Sequence, residues 1–426
     1  MTKIDYDITI VGSSFIGLSA AIILAKQGLK IAIVTTENIS QNISRRTTAN
    51  INQKLTPQDQ AKPNQQNSRL FALSHRSSDI LAKYQILIQE EFIKIAQPIL
   101  HIRAVDQEST AKVDFLPADI GLQEFGYMID EGLLKNQLLQ KTIATKNIAI
   151  IDCANISDIC ETGTTINLTY QHQDSEADPV LRDQVKVLKS RLLLGCDGKN
   201  SVVRSLVRIK TKTHEFNQSA LAFDISHPSW NHDGVAIEKF YAGGPFAILP
   251  KAGGYQSAII WTEKKEAANF LENCSAQDLE FLAKKRLDGY LGDEVRIITE
   301  PKFHELKCVT AAKLEHGRVL LLGDSAHSIH PIAGQGLNLG MRDVETLAEL
   351  VMEYHELGLD IGSWVLTSNY AKKRKYDIKL MTFSTSLINN LFSNQNIGLK
   401  ISRRIGLKVF DRCSIIKNLA MMYAAT

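Results

Sequence analysis

The chain has 426 residues, 44% of them hydrophobic and 22% charged, with a formal net charge of +3. The length exceeds one compact core and suits two domains at roughly 150 residues each. The composition excludes a disordered, collagenous or coiled-coil chain. The best apolar stretch, Phe15 to Val34, is interrupted by Lys26, Gln27 and Lys30, so no membrane-spanning helix is expected. The N-terminus runs into Asp5-Tyr6-Asp7 with no basic, cleavable apolar leader, so no secretion signal is expected. Six cysteines without a Cys-x-x-Cys pair give neither a disulfide framework nor a zinc site, and a cytoplasmic setting is expected.

Ile8, Ile10 and Val11 form a short strand ending at Gly12, Leu18 to Ala25 form a small apolar helix stopped by Gly28, and Ile31 to Val34 form a second strand. Two strands bracketing a helix in about thirty residues make a βαβ unit. Gly12-Ser13-Ser14-Phe15-Ile16-Gly17 has the spacing of a dinucleotide-binding turn. Its first glycine makes the turn, its last lets the helix pack on the strand, and the helix amides hold a phosphate. Ser14 replaces the middle glycine and fits if its φ is negative. The ribose-binding acid of such units falls by spacing at Thr35, with Glu37 two residues further on. Residues 36–68 are polar and read as a long surface loop.

Leu133 to Ile143 has helical apolar spacing. Arg191 to Leu194 is a buried strand running into Gly195-Cys196-Asp197-Gly198, and the turn continues through Ser201 to Arg204 into a helix. Taken alone, that turn is equally an N-cap. Ala220 to Trp261 breaks at His-Pro, Asp-Gly and Gly-Gly into short strands, which suggests an antiparallel sheet. Val319 to Leu322 delivers Gly323-Asp324, a carboxylate able to accept hydrogen bonds from sugar-like hydroxyls. Pro331 and the loop Gly334-Gln335-Gly336 follow, with amides that can lie flat on a ligand at the start of a helix through Leu337, Leu339, Val344, Leu347 and Leu350. His327 and His330 lack a third ligand at metal spacing, and Ser325 lacks a Gly-x-Ser-x-Gly elbow. Neither a metal nor a serine nucleophile is expected. From about Trp364 the chain reads as mostly helical.

Together these three motifs resemble the class A flavoprotein monooxygenases, the aromatic hydroxylases with one dinucleotide fold for FAD. Arg69-Leu70-Phe71-Ala72-Leu73-Ser74, Phe125-Gly126-Tyr127, Phe216-Asn217-Gln218-Ser219-Ala220, Gly244-Pro245-Phe246-Ala247-Ile248-Leu249-Pro250 and Asp360-Ile361-Gly362-Ser363 resemble the ubiquinone-biosynthesis hydroxylase branch. The likeness spans about residues 5–375 and departs at Ser14, Thr35 and Glu131-Gly132, where that branch tends to carry a polar pair. It implies an α/β fold with a Rossmann-like FAD domain of glutathione-reductase type, discontinuous over 1–73, 126–209 and 306–365. An antiparallel-sheet substrate domain would take 74–125 and 210–305, and a helical basic region 366–426.

The resemblance also implies roles. Gly12, Ser13, Ser14, Phe15, Ile16 and Gly17 would hold the FAD pyrophosphate, with Thr35 and Glu37 at the ribose and Arg69 near the cofactor. Asp324 would bind the ribityl chain, while Pro331, Gly334, Gln335, Gly336, Leu337 and Asn338 would line the isoalloxazine. The helix start there would stabilise negative charge at the flavin N1–C2=O locus. Asp197 and Arg204 would serve both FAD and a transient NAD(P)H. NAD(P)H would reduce FAD, O₂ would add at flavin C4a, and the hydroperoxide would hydroxylate a polyprenylated phenol or quinol. Gln218, Phe240, Pro245, Leu249 and Pro250 either face that substrate or pack the sheet. No phenol-activating base stands out. Two alternatives stay open: hydroxylation of a small soluble aromatic, and a flavin-fold binding or scaffold protein without turnover.

The charge is unevenly placed. From Ala371 onward eleven Lys/Arg stand against Asp377 and Asp411, which makes that stretch +9 and leaves −6 for residues 1–370. Lys400, Arg404, Lys408 and Arg412 form one helical stripe, with Ile401, Ile405, Val409, Cys413 and Ile416 beside it. Such a helix lies on an anionic membrane, docks to a lipid carrier or partner complex, or packs on its own acidic body; the residues leave these open. Without regular aromatic interleaving, no nucleic-acid partner is expected.

Overall fold

A computed structural model describes residues 4–39, 69–88, 91–92, 95–107, 112–172, 185–329, 334–392 and 413–425. The proposed basic stripe from Lys400 to Arg412, most of the 36–68 loop, His330 and Pro331 lie outside the described residues.

The first layer is a seven-stranded sheet. Its centre runs parallel in the order β8 (Ile148–Thr162), β2 (Ile31–Thr35), β1 (Tyr6–Val11), β10 (Val185–Gly195) and β18 (Val319–Leu321). β8 and β10 are long, and their other ends pair antiparallel with β9 (Thr165–His172), while β17 (Glu315–His316) edges β18. Ile8, Ile10, Ile31, Ile33, Leu192, Leu194 and Leu320 are completely buried. Cover on both faces is why these strands read as apolar runs without alternation. α1 (Phe15–Lys26) has eleven buried residues out of twelve. It lies against the sheet, α3 (Glu131–Ala144) and α7 (Gln335–Glu356), so it needs no polar stripe. From β1 the sheet grows to β2 on one side and β10 on the other. Ligands of such sheets bind outside the carboxyl ends of the strands at this reversal.

The second sheet has nine strands. The order is β19 (His327–Ser328), β16 (Lys302–Ala311), β11 (Thr211–Ser226), β14 (Gln256–Lys264), β13 (Gly244–Pro250), β12 (Val235–Tyr241), β5 (His101–Asp106) and β6 (Lys112–Phe115), with β15 (Arg296–Ile297) on β11. Its alternation separates two unlike faces. Leu221, Phe223, Ile225, Ile237, Phe246, Ile248, Ile259 and Trp261 pack under α5 (Lys265–Glu272) and α6 (Ala276–Leu287). The opposite face carries Ala104, Ala220, Ala222, Ala236, Ala247 and Ala258. It turns towards a three-stranded sheet of β3 (Leu70–Ser74), β7 (Gly126–Asp130) and β4 (Ala96–Pro98), where Ala236 and Leu249 meet Ile99, Phe125, Met128 and Ala72. β16 carries the second sheet past the expected boundary at 305, and β4 joins β7 and not the substrate sheet.

Lys239 lies on the helix-covered face and is completely buried. Its Nζ donates to the carbonyls of Arg286 (2.9 Å) and Leu287 (2.8 Å) at the end of α6 and sits 4.7 Å from the Tyr290 ring centroid. A cation suits a helix C-terminus, though burial lowers its pKa to about 8.

Short helices α2 (His75–Lys83) and α4 (Val202–Leu206) follow strand ends, and α8 (Trp364–Phe392) and α9 (Ser414–Ala425) complete the chain. Part of the basic C-terminal region is interior. Asp343 of α7 is completely buried; its Oδ2 accepts from the Gly323 amide (2.9 Å) and bonds His327 Nε2 (2.6 Å), and its Oδ1 accepts from Arg374 Nε of α8 (2.6 Å). Arg374 also donates to Asp377 (2.7 Å), which in turn accepts from Arg342 (3.1 Å) and the Tyr423 hydroxyl of α9 (2.7 Å). Met421 and Ala425 seal α9 against Ile99, Phe125 and Ala236, so residues 414–425 pack on the body.

Burial alone would raise the Asp343 carboxyl, but His327, Arg374 and the Gly323 amide hold it below the usual range. Replacing it in Asp343→Asn strands Arg374 in the core and should cost about 3–5 kcal/mol in thermal or urea unfolding. A depressed folded pKa stabilises above the ordinary carboxylate pKa and fades as pH falls through the folded value. The stability gap between wild type and variant should therefore narrow in acid.

Candidate active site

At the carboxyl ends of β1, β10 and β18 the three sequence motifs meet. Gly12 has φ +106°, and a Cβ there would sit 2.5 Å from the Cys196 carbonyl oxygen; a Cβ on Gly17 would sit 2.2 Å from the Gly12 oxygen. Both positions require glycine because the β1 turn, the β10 turn and α1 touch backbone to backbone. Ser14, with φ −68° and ψ 170°, takes ordinary extended angles, which is how a serine replaces the middle glycine. Its Oγ accepts from the Gly17 amide (3.3 Å) as the helix cap and donates to the Cys196 carbonyl (3.1 Å). The Phe15 and Ile16 amides stand at the mouth of a helix whose first turn carries no acid, an arrangement suited to phosphate.

Thr35 is buried, and its hydroxyl bonds Ser13 Oγ (2.9 Å) and accepts from the Glu37 amide (3.1 Å). It ties β2 to the β1 turn. Glu37 extends beyond the strand end and pairs with Lys135 of α3 (2.6 Å). Asp197 Oδ2 accepts from the Val203 amide (3.0 Å), while its Oδ1 is buried without a partner among the described residues. Arg204 donates to the Ser325 and Lys199 carbonyls, both at 2.7 Å, so its guanidinium braces the β10 and β18 loops together. The Ser325 hydroxyl is bound to the Gly195 carbonyl (2.5 Å).

Asp324 presents an exposed carboxyl on the floor of this cleft. The surrounding protein raises its pKa, opposed by His327, Arg69 and Lys199; Arg69, at the head of β3, is thus within electrostatic reach. Gly334 caps α7 with φ +61°, and a Cβ there would press the Ala72 Cβ at 2.9 Å. Gln335 Oε1 is buried without a partner among the described residues, and Gly336 and Leu337 are half-buried in the first turn. Asn338 accepts from the Ser74 amide (2.8 Å) and Ser77 hydroxyl (2.9 Å) and donates to the Ala72 carbonyl (2.9 Å). Its amide therefore locks α7 to β3.

On the second sheet Phe240 pairs with Pro245 in register, and both share the alanine face with Leu249. Gln218 Nε2 donates to the Gly243 carbonyl (2.9 Å) and pins the β12–β13 turn. Pro250 alternates to the other face. The sequence reading missed Glu238 and His304, both on the alanine face in register with Ala247 and Ala220. Alternation against Ala236 and Phe240 was the available signal for Glu238. Two surface recesses lie elsewhere. One, of about 520 Å³, is lined by Tyr6, Asp7, Lys30, Arg191 and Asp360 at the amino ends of β1 and β2. The other, of about 290 Å³, is lined by Trp261, Phe270 and Arg286 behind the second sheet. Neither is at the strand ends where nucleotides bind.

Two helix starts without an acid in the first turn, a glycine turn, orphaned oxygens on Asp197 and Gln335 and the open Asp324 carboxyl suit FAD, which has a pyrophosphate, a polyol and an amide-rich ring. Residues 159–360 match the family model described as FAD binding domain, and residues 297–425 match one described as squalene epoxidase. The chain is 29% identical over 418 residues to ubiquinone hydroxylase UbiL of Rhodospirillum rubrum, covering 98% of this chain and 89% of the relative. It is 25% identical over 424 residues to 3-demethoxyubiquinol 3-hydroxylase of Escherichia coli, covering 100% and 99%. The fold matches the crystal structure of p-nitrophenol 4-monooxygenase PnpA from Pseudomonas putida with a TM-score of 0.73 at 15% identity, covering 100% and 99%. Along nearly its whole length the chain is thus similar to the ubiquinone-biosynthesis hydroxylases, and its fold matches that of a class A flavoprotein monooxygenase, as its three motifs led one to expect.

Proposed function

We propose that the protein hydroxylates the ring of a polyprenylated phenol or quinol in ubiquinone biosynthesis. The observation that carries the reading is convergence: the Gly12 turn, Asp197 and Asp324 meet at the carboxyl ends of β1, β10 and β18, and Ala72, against which the start of α7 packs, clusters with Ala236 and Leu249 of the alanine-lined face. Bound FAD, reduced by NAD(P)H, supplies the activated oxygen. The α1 amides would hold its pyrophosphate, Glu37 beyond the strand end would serve the ribose, Asp324 would accept from the ribityl hydroxyls, and Gly334 to Leu337 would line the flavin ring. Thr35, Arg204 and Asn338 shape the site by holding its loops. Phe240, Pro245 and Leu249 exclude water beside the substrate ring.

A prenylated substrate comes from a membrane or a lipid carrier, and two exposed apolar stripes suit a lipid surface. On α8 they are Tyr376, Leu380, Phe383 and Leu387; on α9 they are Ile415, Ile416, Leu419 and Met422. The Tyr423–Asp377 bond sets the helices side by side, and the basic residues beyond Ala371 favour an anionic bilayer. Among the described residues no helix is long and apolar enough to cross a membrane, so this docking is peripheral.

Two measurements test the reading. Purified protein should be yellow, hydroxylate a prenylated phenol at the expense of NAD(P)H, and lose flavin absorbance in Asp324→Ala; a colourless protein that FAD cannot reconstitute sinks the assignment. Anionic liposomes should float wild type but not Phe383→Glu/Leu419→Glu, which should keep its flavin. Equal flotation counts against docking through these helices.

A further inference from the structure

We propose that Glu238 is the base that takes the phenolic proton from the substrate ring, a role that rests on the hydroxylase reading above. Along β12, Ile237 and Tyr241 turn to α5 and α6, whereas Ala236 packs on the cleft side with Met128 and Met421. By alternation Glu238 and Phe240 share the cleft side. Across the strands Glu238 lies in one row with Ala104, Ala247, Ile260, Ala222 and Lys302. The three alanines leave room above the sheet. Ala104, Glu238, Ile260 and Ala222 keep partial solvent access, while Leu221, Phe223, Ile237, Ile248 and Ile259 on the other face are 4% exposed or less. The row is therefore the floor of an open recess on the cofactor side of the sheet.

Lys239, the neighbour of Glu238, points to the opposite face and is committed to the Arg286 and Leu287 carbonyls. Among the described residues no hydrogen bond or ion pair reaches Glu238. Among the described residues the charged and titratable groups around this face include Asp106 one row along β5, Asp224 of β11 with its partner Lys251, Lys302 and His304 of β16, Arg69 and Asp324 from the cofactor side, and Lys417 and Tyr423 of α9. None of them sets its protonation: burial alone raises Glu238 to about 7. A carboxylate desolvated by its surroundings and without a partner among the described residues costs stability, and its place on a ligand-facing floor gives that cost a use.

In the step, the phenol O–H bond breaks, its proton goes to a Glu238 carboxylate oxygen, and the electron pair stays on the ring oxygen. The resulting phenolate is the more nucleophilic ring towards oxygen transfer. As the hydroxylated ring rearomatises, its ring C–H proton leaves to solvent and the ring oxygen recovers the proton from Glu238. The carboxylate ends the cycle as it began.

The test compares FAD-loaded wild type, E238Q and E238D with NAD(P)H and a prenylated phenol across neutral pH. E238Q should lose about 100-fold or more in product formation and the rise in rate as pH passes 7. It should still bind FAD, and NAD(P)H should still bleach its flavin. E238D should recover part of the rate and of the pH dependence. Without NAD(P)H, the ultraviolet phenolate band of bound substrate should appear with wild type and be missing with E238Q. A wild-type rate and pH profile in E238Q, or a loss equal at every pH, overturns the assignment. A wild type that makes no product from prenylated phenols removes the hydroxylase reading, and the role of Glu238 goes with it.

Discussion

Asp343 is a completely buried charge, and it is tolerated because the Gly323 amide, His327 and Arg374 converge on its two oxygens. Each donor comes from a different part of the chain: the end of β18, the strand β19 that joins the second sheet, and α8. The carboxylate thereby fixes the loop that carries Asp324, the start of α7 and the C-terminal helices in one arrangement. A single charge that needs three partners in place is a demanding constraint, because losing any one leaves a buried ion uncompensated. The network continues through Asp377 to Arg342 and Tyr423, so α9 is linked to the loop that carries Asp324 by continuous hydrogen bonds.

The second sheet divides its labour by face. Large side chains on one side fill the space under α5 and α6, and Lys239 neutralises the end of α6. Alanines on the other side keep a floor clear, and the small β3–β7–β4 sheet with α9 closes part of it. Neighbouring residues of β12 thus serve opposite ends: Lys239 is consumed by structure, and Glu238 is left to chemistry. The same separation appears at the strand ends of the first sheet. Thr35, Arg204, Ser325 and Asn338 spend their polar groups on the loops, which leaves Asp324 and the helix amides unencumbered.

Charge counted along the chain does not equal charge at the surface. Arg374 and Asp377 fall within the basic C-terminal stretch, yet both belong to the interior network. Beside the exposed Lys372, Lys373, Lys375 and Lys379, α8 and α9 also put apolar side chains on the surface, from Tyr376 to Leu387 and from Ile415 to Met422. A lipid surface is the environment in which such stripes and remaining basic residues both gain.

Read alone, the residues determined the local chemistry. Gly12 marked a turn and Gly17 a close helix contact because only glycine allows such backbone approach, and apolar runs marked the parallel strands because both their faces are covered. The 3.6-residue spacing from Leu133 to Ile143 marked α3, and the length and content of the Asp324 motif carried the family resemblance. Tertiary structure decided everything that depends on which atoms a polar group finally meets. Thr35 and Glu37 stood two residues apart as candidates for one role, but only folding sent the hydroxyl to Ser13 and left the carboxylate at the strand end. Arg374 looked like one more surface cation until α8 docked on Asp343. Glu238 gave no signal by motif, because its environment is assembled from β5, β11, β13 and β14, distant in sequence and adjacent only through strand register. Spacing reports what a segment can bond within itself, and burial and pairing across the fold are properties of the whole.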